Sequence, residues 1–442
     1  MRYNNAMLKR IRLKNFKLHE DTTIEAAPIT VFIGPNNSGK SSIFQALLLL
    51  RQAAARNDQF LCRPPGGIQP PPSEHYLYSP NLLVDVGAFD EVVRRGRNEI
   101  DFQVSGGVRP PRTIGDLNEA SLSFETRIKE NWLVSNSGSI RCPGGQTEWE
   151  FVGGKPTKGS PGLKWGEVIY RLEAVGTFNL TRLAGFSTTN PVLSQETMRM
   201  YNEFSQWIGA IPSKLLQSLH PVYALRGFEE WGYPITDYSP SSLELLTLHD
   251  RALALPNALA SDRRLKERLS ERLEEILHIS IDFEVIPGKR LKIWAKPTGN
   301  SRAETLFANE GTGANQIPFI FVPVLLTPPD ETILLSEPEA HLHPKGQCEL
   351  TSMLLSVAKK ENIQFFFETH SEHVLHTILN SVARGEWSPA DVALYYFQNK
   401  NGIAEVGKRE INQFGQVDGG LPDFFEQSLA ELSDYLKALS KT

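Results

Sequence analysis

The sequence predicts an α/β chain: a mixed, mainly parallel core sheet, an antiparallel β layer beside it and a helical insertion between its halves. Three observations carry this expectation. An apolar run at 29–33 passes through a polar, glycine-flanked loop into a helix-forming run at 42–50, and apolar runs at 332–335 and 364–367 end in acidic residues. Strand-like segments from 99 to 175 follow one another without helices, the mark of an antiparallel sheet. From about residue 190 the apolar period lengthens to that of helices.

In chain order, Leu8–Lys17 alternates apolar and basic residues, the period of a half-buried strand, and Thr22–Ile24 is a second short strand. The helix after the glycine-flanked loop runs to about Arg56, and the proline-rich stretch 63–72 breaks it. Leu82–Glu91 reads as a strand and a glycine turn, followed by the basic cluster Arg94, Arg95, Arg97. Strands are expected at Glu99–Val104, Ser121–Ile128, Trp132–Val134, Glu148–Val152 and Val168–Val175, with Asn136–Gly145 and Gly153–Gly162 as hairpin loops. Helices are expected at Ser194–Gly209, Ser213–Ser218, Ser241–Leu253 and Ser261–His278. In the last of these Leu265, Leu269, Leu273, Ile276 and Leu277 form one stripe, with Arg263/Glu267 and Arg268/Glu271 on the charged side. Strands return at Ile279–Ile286, Arg290–Lys296 and Val392–Gln398, and Leu429–Ser440 closes the chain as a helix. The expected divisions are 1–189, 190–280 as the helical insertion, and 281–442.

At 442 residues the chain has ample length to bury a core, and its 40% hydrophobic and 22% charged residues are ordinary globular values. A net charge of −5 gives no general nucleic-acid signature, so any DNA contact needs a local patch; Arg94, Arg95, Arg97, Arg109 and Arg112 are the best candidates. Cys62, Cys142 and Cys348 lie far apart with no C-x-x-C pair, which argues against a disulfide framework or zinc ribbon and suits a reducing compartment. Ile317–Leu326 is too short to cross a bilayer and holds two prolines, and Met1–Asn5 lacks the apolar region of a signal peptide. A cytoplasmic chain with no membrane contact is expected.

The chemistry begins at Gly34-Pro35-Asn36-Asn37-Ser38-Gly39-Lys40-Ser41, which matches G-x-x-x-x-G-K-S at every specified position between a strand and a helix. Such a loop turns its backbone N–H groups inward and adds the positive end of the following helix, a cradle for the phosphates of a nucleoside triphosphate. Lys40 belongs on the β/γ-phosphates, the Ser41 hydroxyl on Mg²⁺, and Ser42 opens the helix. The loop needs an acid on a neighbouring strand, and Thr332–Glu339 supplies candidates in Ser336, Glu337 and Glu339. His370, at the end of the next strand, stands ready for the γ-phosphate or the attacking water. His341/His343 and His370/His373 have no third ligand arranged with them, so a dedicated zinc site is not expected.

These motifs resemble the ABC-type ATPases of the SMC/RecF/OLD group, in the branch of compact AAA ATPases with a DUF3696-like C-terminus. The resemblance lies in "LKRIRLKNFK", "GPNNSGKSS", "VDVGAFDEVV", "VYALRG", "EGTGANQ", "LLSEPEAHLHP", "FFFETHSEHVL" and "GLPDFFEQ". It implies an ABC-type P-loop NTPase head that binds ATP and Mg²⁺. Lys40 and Ser41 are then the phosphate-loop pair, Glu337 the catalytic glutamate with Glu339 as fallback, and His370 the switch histidine; Mg²⁺ rests on Ser41 with Ser336 and Glu337. Gly311, Thr312 and Gly313 fall at the signature position, which in this group covers the nucleotide of the opposite subunit, so an ATP-dependent homodimer is implied. The group commonly has Asp or Glu where this chain has Ser336, and no Q-loop glutamine is evident near Asp85–Asp90.

The chain is similar to the ATPase subunits of PARIS- and Septu-type anti-phage defence systems, which implies an ATPase sensor working with a separate effector, a nuclease or toxin. No Toprim-like acidic constellation follows residue 371. A RecF-like DNA-binding repair ATPase and a nucleotide-gated switch with little turnover are the alternatives. "EGTGANQ" is not the signature of a transporter ATPase, and no sustained heptads exist for an SMC-type arm.

Overall fold

The computed structural model describes residues 7–56, 83–108 apart from Asp85, the strands between 120 and 188, 211–235 apart from positions 212, 213 and 225, 251–299, 303–421 and the single positions 195, 199 and 203. The expected helices at Ser241–Leu253 and Leu429–Ser440, most of Ser194–Gly209, and Arg109 and Arg112 lie outside them, apart from the helical end of the first at 251–253.

The chain opens with β1 (Leu8–Phe16), β2 (His19–Glu25) and β3 (Ile29–Ile33), then α1 (Lys40–Arg56) and the single turn α2 (Phe89–Val92). An antiparallel series follows: β4 (Glu99–Val108), β5 (Ala120–Lys129), β6 (Trp132–Cys142), β7 (Gly145–Val152), β8 (Lys155–Pro156), β9 (Gly162–Trp165), β10 (Val168–Val175) and β11 (Asn179–Thr188). Next come β12 (Leu219–Val222), β13 (Tyr233–Pro234), α3 (Arg251–Ser261), α4 (Arg263–Leu277), β14 (Ile279–Ile286), β15 (Arg290–Pro297) and β16 (Thr305–Leu306). The last part holds α5 (Thr312–Leu326), β17 (Thr332–Ser336), α6 (Pro344–Glu361), β18 (Gln364–Glu368), α7 (Glu372–Ala383), β19 (Val392–Lys400) and β20 (Ile403–Arg409).

The core sheet runs β12-β17-β18-β3-β19-β20, parallel throughout except for the β19–β20 hairpin. Its central strands are buried on both faces, which is why they read as unbroken apolar runs. Phe32, Leu334 and Phe366 face α1 and the antiparallel layer, whereas Ile33, Leu335 and Phe367 face the side packed by α5, α6 and α7. The antiparallel layer runs β2-β1-β4-β5-β6-β7-β8, and β5 alternates buried and half-buried residues along its whole length.

Several expectations shift. The Ser-, Asn- and Gly-rich residues after 134 continue as β6 to Cys142, because pairing with β5 and β7 on both sides outweighs their weak strand propensity. Within 190–280, α3 and α4 are helical, yet β12 is a strand that extends the edge of the core sheet against β17. Pro221 is tolerated there because an edge strand need not donate every N–H. The stripe on α4 is buried at Leu265, Leu269, Leu273 and Ile276, with Asp262 capping its start. Arg263 pairs with Glu267 at 2.7 Å, but Arg268 donates to the Leu325 carbonyl at 3.1 Å, tying α4 to α5.

Gln364 joins the two main sheets. Its side-chain oxygen accepts from Leu8 N–H (3.0 Å) and the Thr332 hydroxyl (2.8 Å), while its amide donates to the carbonyls of Leu8 (2.9 Å) and Ala27 (3.0 Å). Replacing it with leucine strands these buried polar groups. Gln364→Leu is therefore expected to destabilise the protein by roughly 2–4 kcal/mol, read as a lower urea midpoint. An unchanged midpoint would mean that apolar contact alone holds the layers together.

Candidate active site

The register of the core sheet builds the site. β3, β18 and β17 lie side by side in parallel, and Glu368 sits level with Ser336 on one side and Phe32 on the other. Their carboxyl ends therefore open at one height, where ligands gather in such sheets. The strand next to the phosphate-loop strand is β18 and not β17, which corrects the expectation that residues 332–339 lie directly beside it.

The loop after β3 is shaped by close contacts with its own chain. Gly34 takes φ +140°, and a Cβ there would fall 2.1 Å from the Phe397 carbonyl oxygen, so only glycine passes β19 at this point. Asn37 adopts a left-handed φ of 59°, and its carbonyl accepts from Asn399 Nδ2 at 2.9 Å. Lys40 folds back into the loop, its Nζ donating to the carbonyls of Gly34 (2.9 Å) and Pro35 (2.8 Å). Burial lowers the Lys40 pKa, while the charges of Glu368, Glu337 and Glu339 oppose that loss.

Beneath the loop lies His19, fully buried on β2. Its Nε2–H donates to the Gly39 carbonyl at 2.9 Å, since that oxygen can only accept, and Nδ1 then accepts from the Thr22 hydroxyl at 2.9 Å. A Cβ on Gly39 would approach the imidazole to 3.0 Å. Sequence reading passed over His19, because a lone histidine opening a strand gives no local signal.

A cavity of about 660 Å³ opens over the loop, lined by Asn36–Ser42 together with Lys17, Gln45, Asn399, Glu337, Glu368 and His370. Asn36–Ser42, Glu337 and His370 thus meet in one space, whereas Gly34, Pro35 and Ser336 do not line it. Glu337 takes a left-handed φ of 44°, a strained conformation for glutamate. It is held by its own N–H to the Glu368 carbonyl (2.7 Å) and by Arg226, which donates to the carbonyls of Ser336 (2.9 Å), Glu337 (2.6 Å) and Tyr223. The His370 Nε2 lies 3.7 Å from a Glu337 oxygen. Burial and the nearby Lys40 charge lower the His370 pKa against the pull of Glu337, which favours the neutral ring near pH 7.

Glu339 has a different place. It is buried outside the cavity lining, where one oxygen accepts from the Thr369 hydroxyl (2.6 Å) and from His370 N–H (2.9 Å). It fixes the turn that presents His370, and desolvation raises its pKa. Gly311, Thr312 and Gly313 do not line the cavity either. They form the start of α5, where Gly311 and Thr312 are exposed, Gly311 has no neighbour within 4 Å of a Cβ position, and the half-buried Gly313 fits tightly under the His341 carbonyl. The basic cluster after α2 is partly engaged: Arg94 reaches the carbonyls of Leu18 (3.4 Å) and Gly402 (3.5 Å), and Arg97 lies 3.9 Å from Glu20.

Glu368 and Arg226 are further site residues that sequence reading missed. The Ser41 hydroxyl donates to Glu368 Oε1, and the Ser336 hydroxyl donates to Oε2 at 3.3 Å. Glu368 is buried, which raises its pKa, while Ser41 and Lys40 act in the opposite sense. Oxygen donors from two serines and two glutamates suit Mg²⁺, which takes one or two carboxylates and leaves its other positions to water and phosphate. Among the described residues no group of three or more His, Cys, Asp or Glu side chains forms a cage that would hold a metal alone.

Fold and loop define an ABC-type nucleotide-binding head. The family model described as an AAA ATPase domain matches residues 7–105 and 257–375, and the model for a protein of unknown function, DUF3696, matches 388–434. The OLD nuclease of Thermus scotoductus is 43% identical over 44 residues, a stretch that is 10% of this chain and 8% of that protein. Solved structures with a related layout include the SMC head domain from Thermotoga maritima, at 12% identity, 91% of this chain, 98% of that chain and a TM-score of 0.39. Another is the Smc head domain with an extended coiled coil, bound to the C-terminal domain of ScpA, from Pyrococcus furiosus, at 12% identity, 97% and 99% coverage and a TM-score of 0.43. Scores below 0.5 decide nothing; the loop, the strand order and the family matches do. The chain thus carries the AAA ATPase domain over residues 7–105 and 257–375 and is similar to ATPases of the SMC/RecF/OLD type.

His19 couples the loop to pH. Its pKa is lowered to about 4 by burial, against about 6.5 in an unfolded chain. The unfolded state therefore takes up a proton between these values that the folded state refuses. The contribution is complete above pH 6.5 and is lost as pH falls towards 4, about 3 kcal/mol in all. The apparent Tm of the native chain is expected to fall more steeply between pH 7 and 4.5 than that of His19→Gln. Parallel curves would contradict the buried neutral imidazole.

Proposed function

We infer that the chain binds ATP with Mg²⁺ at the loop and hydrolyses it slowly, and that two copies close on two nucleotides, each covering the other's γ-phosphate with Gly311–Gly313. The observation that carries this reading is the meeting of Lys40, Glu337 and His370 in one cavity although some three hundred positions separate the first from the others. Lys40 is already beside the phosphate position and needs only to exchange its two loop carbonyls for phosphate oxygens. Glu337, half-exposed and within reach of a neutral His370, is the group suited to take a proton from an attacking water. Mg²⁺, when bound, neutralises charge on the transferred phosphoryl group. The start of α5 faces solvent and lies apart from this cavity, the arrangement that a second copy is needed to complete.

In this reading the nucleotide-driven dimer is the sensor and scaffold of an anti-phage defence system, with a nuclease or toxin effector supplied by another chain in the cytoplasm. That role rests on the resemblance to ATPases that work with separate effectors, and the short likeness to an OLD nuclease accords with it. A DNA-repair role draws less support, since Arg94 and Arg97 are partly satisfied within the chain.

Two variants test the reading together. Lys40→Ala is expected to lose ATP binding by calorimetry, at least a hundredfold in Kd. Glu337→Gln is expected to bind ATP normally, release phosphate at under one-hundredth of the native rate and accumulate dimers on a sizing column. Native-like ATP affinity in Lys40→Ala, or native turnover in Glu337→Gln, would remove the assignment.

A further inference from the structure

We propose that Glu368 on β18 is the carboxylate that supports the divalent cation at Ser41, in place of the acid that Ser336 does not provide. The proposal rests on the ATP–Mg²⁺ reading above and names the residue that completes its metal site.

Three observations converge on Glu368. It is the acid in direct contact with the phosphate-loop serine, because the Ser41 hydroxyl donates to its Oε1. It stands level with Ser336 across the parallel β17–β18 pair, and the Ser336 hydroxyl holds its second oxygen at 3.3 Å. It is 3% exposed, at the base of the cavity on the strand adjoining β3, so its carboxylate sits between the loop strand and the acidic strand. Glu337 competes poorly for the same task. Its side chain is 40% exposed and directed towards His370, which suits a proton acceptor better than a cation anchor.

The pairing of Ser336 with Glu368 has a physical logic. Strands about 4.8 Å apart place in-register side chains of one face against each other, so two carboxylates at these positions would repel. One carboxylate and one hydroxyl avoid that repulsion and make a hydrogen bond. The carboxylate thus stands one strand closer to the loop than Ser336, and the shorter serine leaves room for the longer glutamate. Ser336 is then no sign of a disabled site, because the pair still carries one carboxylate.

The test measures metal binding apart from turnover. Mn²⁺ affinity of the full chain with saturating ATP is followed by electron paramagnetic resonance, beside calorimetric ATP affinity without metal. Glu368→Gln, close to isosteric, is expected to weaken Mn²⁺ binding at least tenfold while metal-free ATP binding, lost in Lys40→Ala, remains measurable. The exchange variant Ser336→Glu with Glu368→Ser, which returns one carboxylate to the pair, is expected to recover most of the Mn²⁺ affinity. Unchanged Mn²⁺ affinity in Glu368→Gln, with ATP bound, would overturn the assignment of Glu368 alone. Failure of the native chain to bind ATP at all would overturn both this assignment and the reading it rests on.

Discussion

The site depends on one constraint, the in-register parallel pairing of β17, β18 and β3. That pairing brings three strand ends, drawn from distant parts of the chain, to the same level. A slip of one residue would turn Glu368 to the opposite face and place Phe367 under Ser41. The register is protected by burial on both faces, since Phe365 and Phe367 belong to one apolar cluster and Phe366 to the other. Gln364, at the opposite end of β18, pins the same strand to β1 and β17 through three hydrogen bonds and to Ala27, before β3, through a fourth. The polar site is thus positioned by apolar packing at a distance from it.

The phosphate loop is pre-set in the same spirit. Its turns at Gly34 and Gly39 press against Phe397 and His19, so the backbone has little freedom to relax. Lys40 fills the loop with its own ammonium group and donates to the Gly34 and Pro35 carbonyls. Binding then exchanges hydrogen bonds on a formed scaffold and need not order a loose one, which lowers the entropic cost of association. Around Lys40 stand Glu337, Glu339 and Glu368, each in electrostatic contact with it.

Much of this was legible in the sequence. The loop motif, the apolar strand before it and the helix after it specify their structure locally, and the alternation on β1 and the stripe on α4 are local signals as well. Glu337 and His370 were candidates because their strands end in polar residues, and their expected roles came from the family resemblance. What could not be read was which strand lies next to which. Nothing in the order of the chain says that β18 inserts between β17 and β3, so Glu368 looked like the last residue of an apolar run and Ser336 like a missing acid. Arg226, which holds the strained turn at Glu337 through backbone carbonyls, is likewise visible only once β12 is seen to extend the core sheet beside β17. The separation of Glu339 from the cavity has the same origin: two residues along an irregular turn reverse the direction of a side chain.

A crystal structure of the full chain with a non-hydrolysable ATP analogue and Mg²⁺ tests the central claim most directly. The expected result is an analogue whose terminal phosphates have drawn Lys40 Nζ from the Gly34 and Pro35 carbonyls, with the cation beside Ser41. An analogue bound elsewhere, or a loop in which Lys40 keeps both carbonyls, would contradict the account.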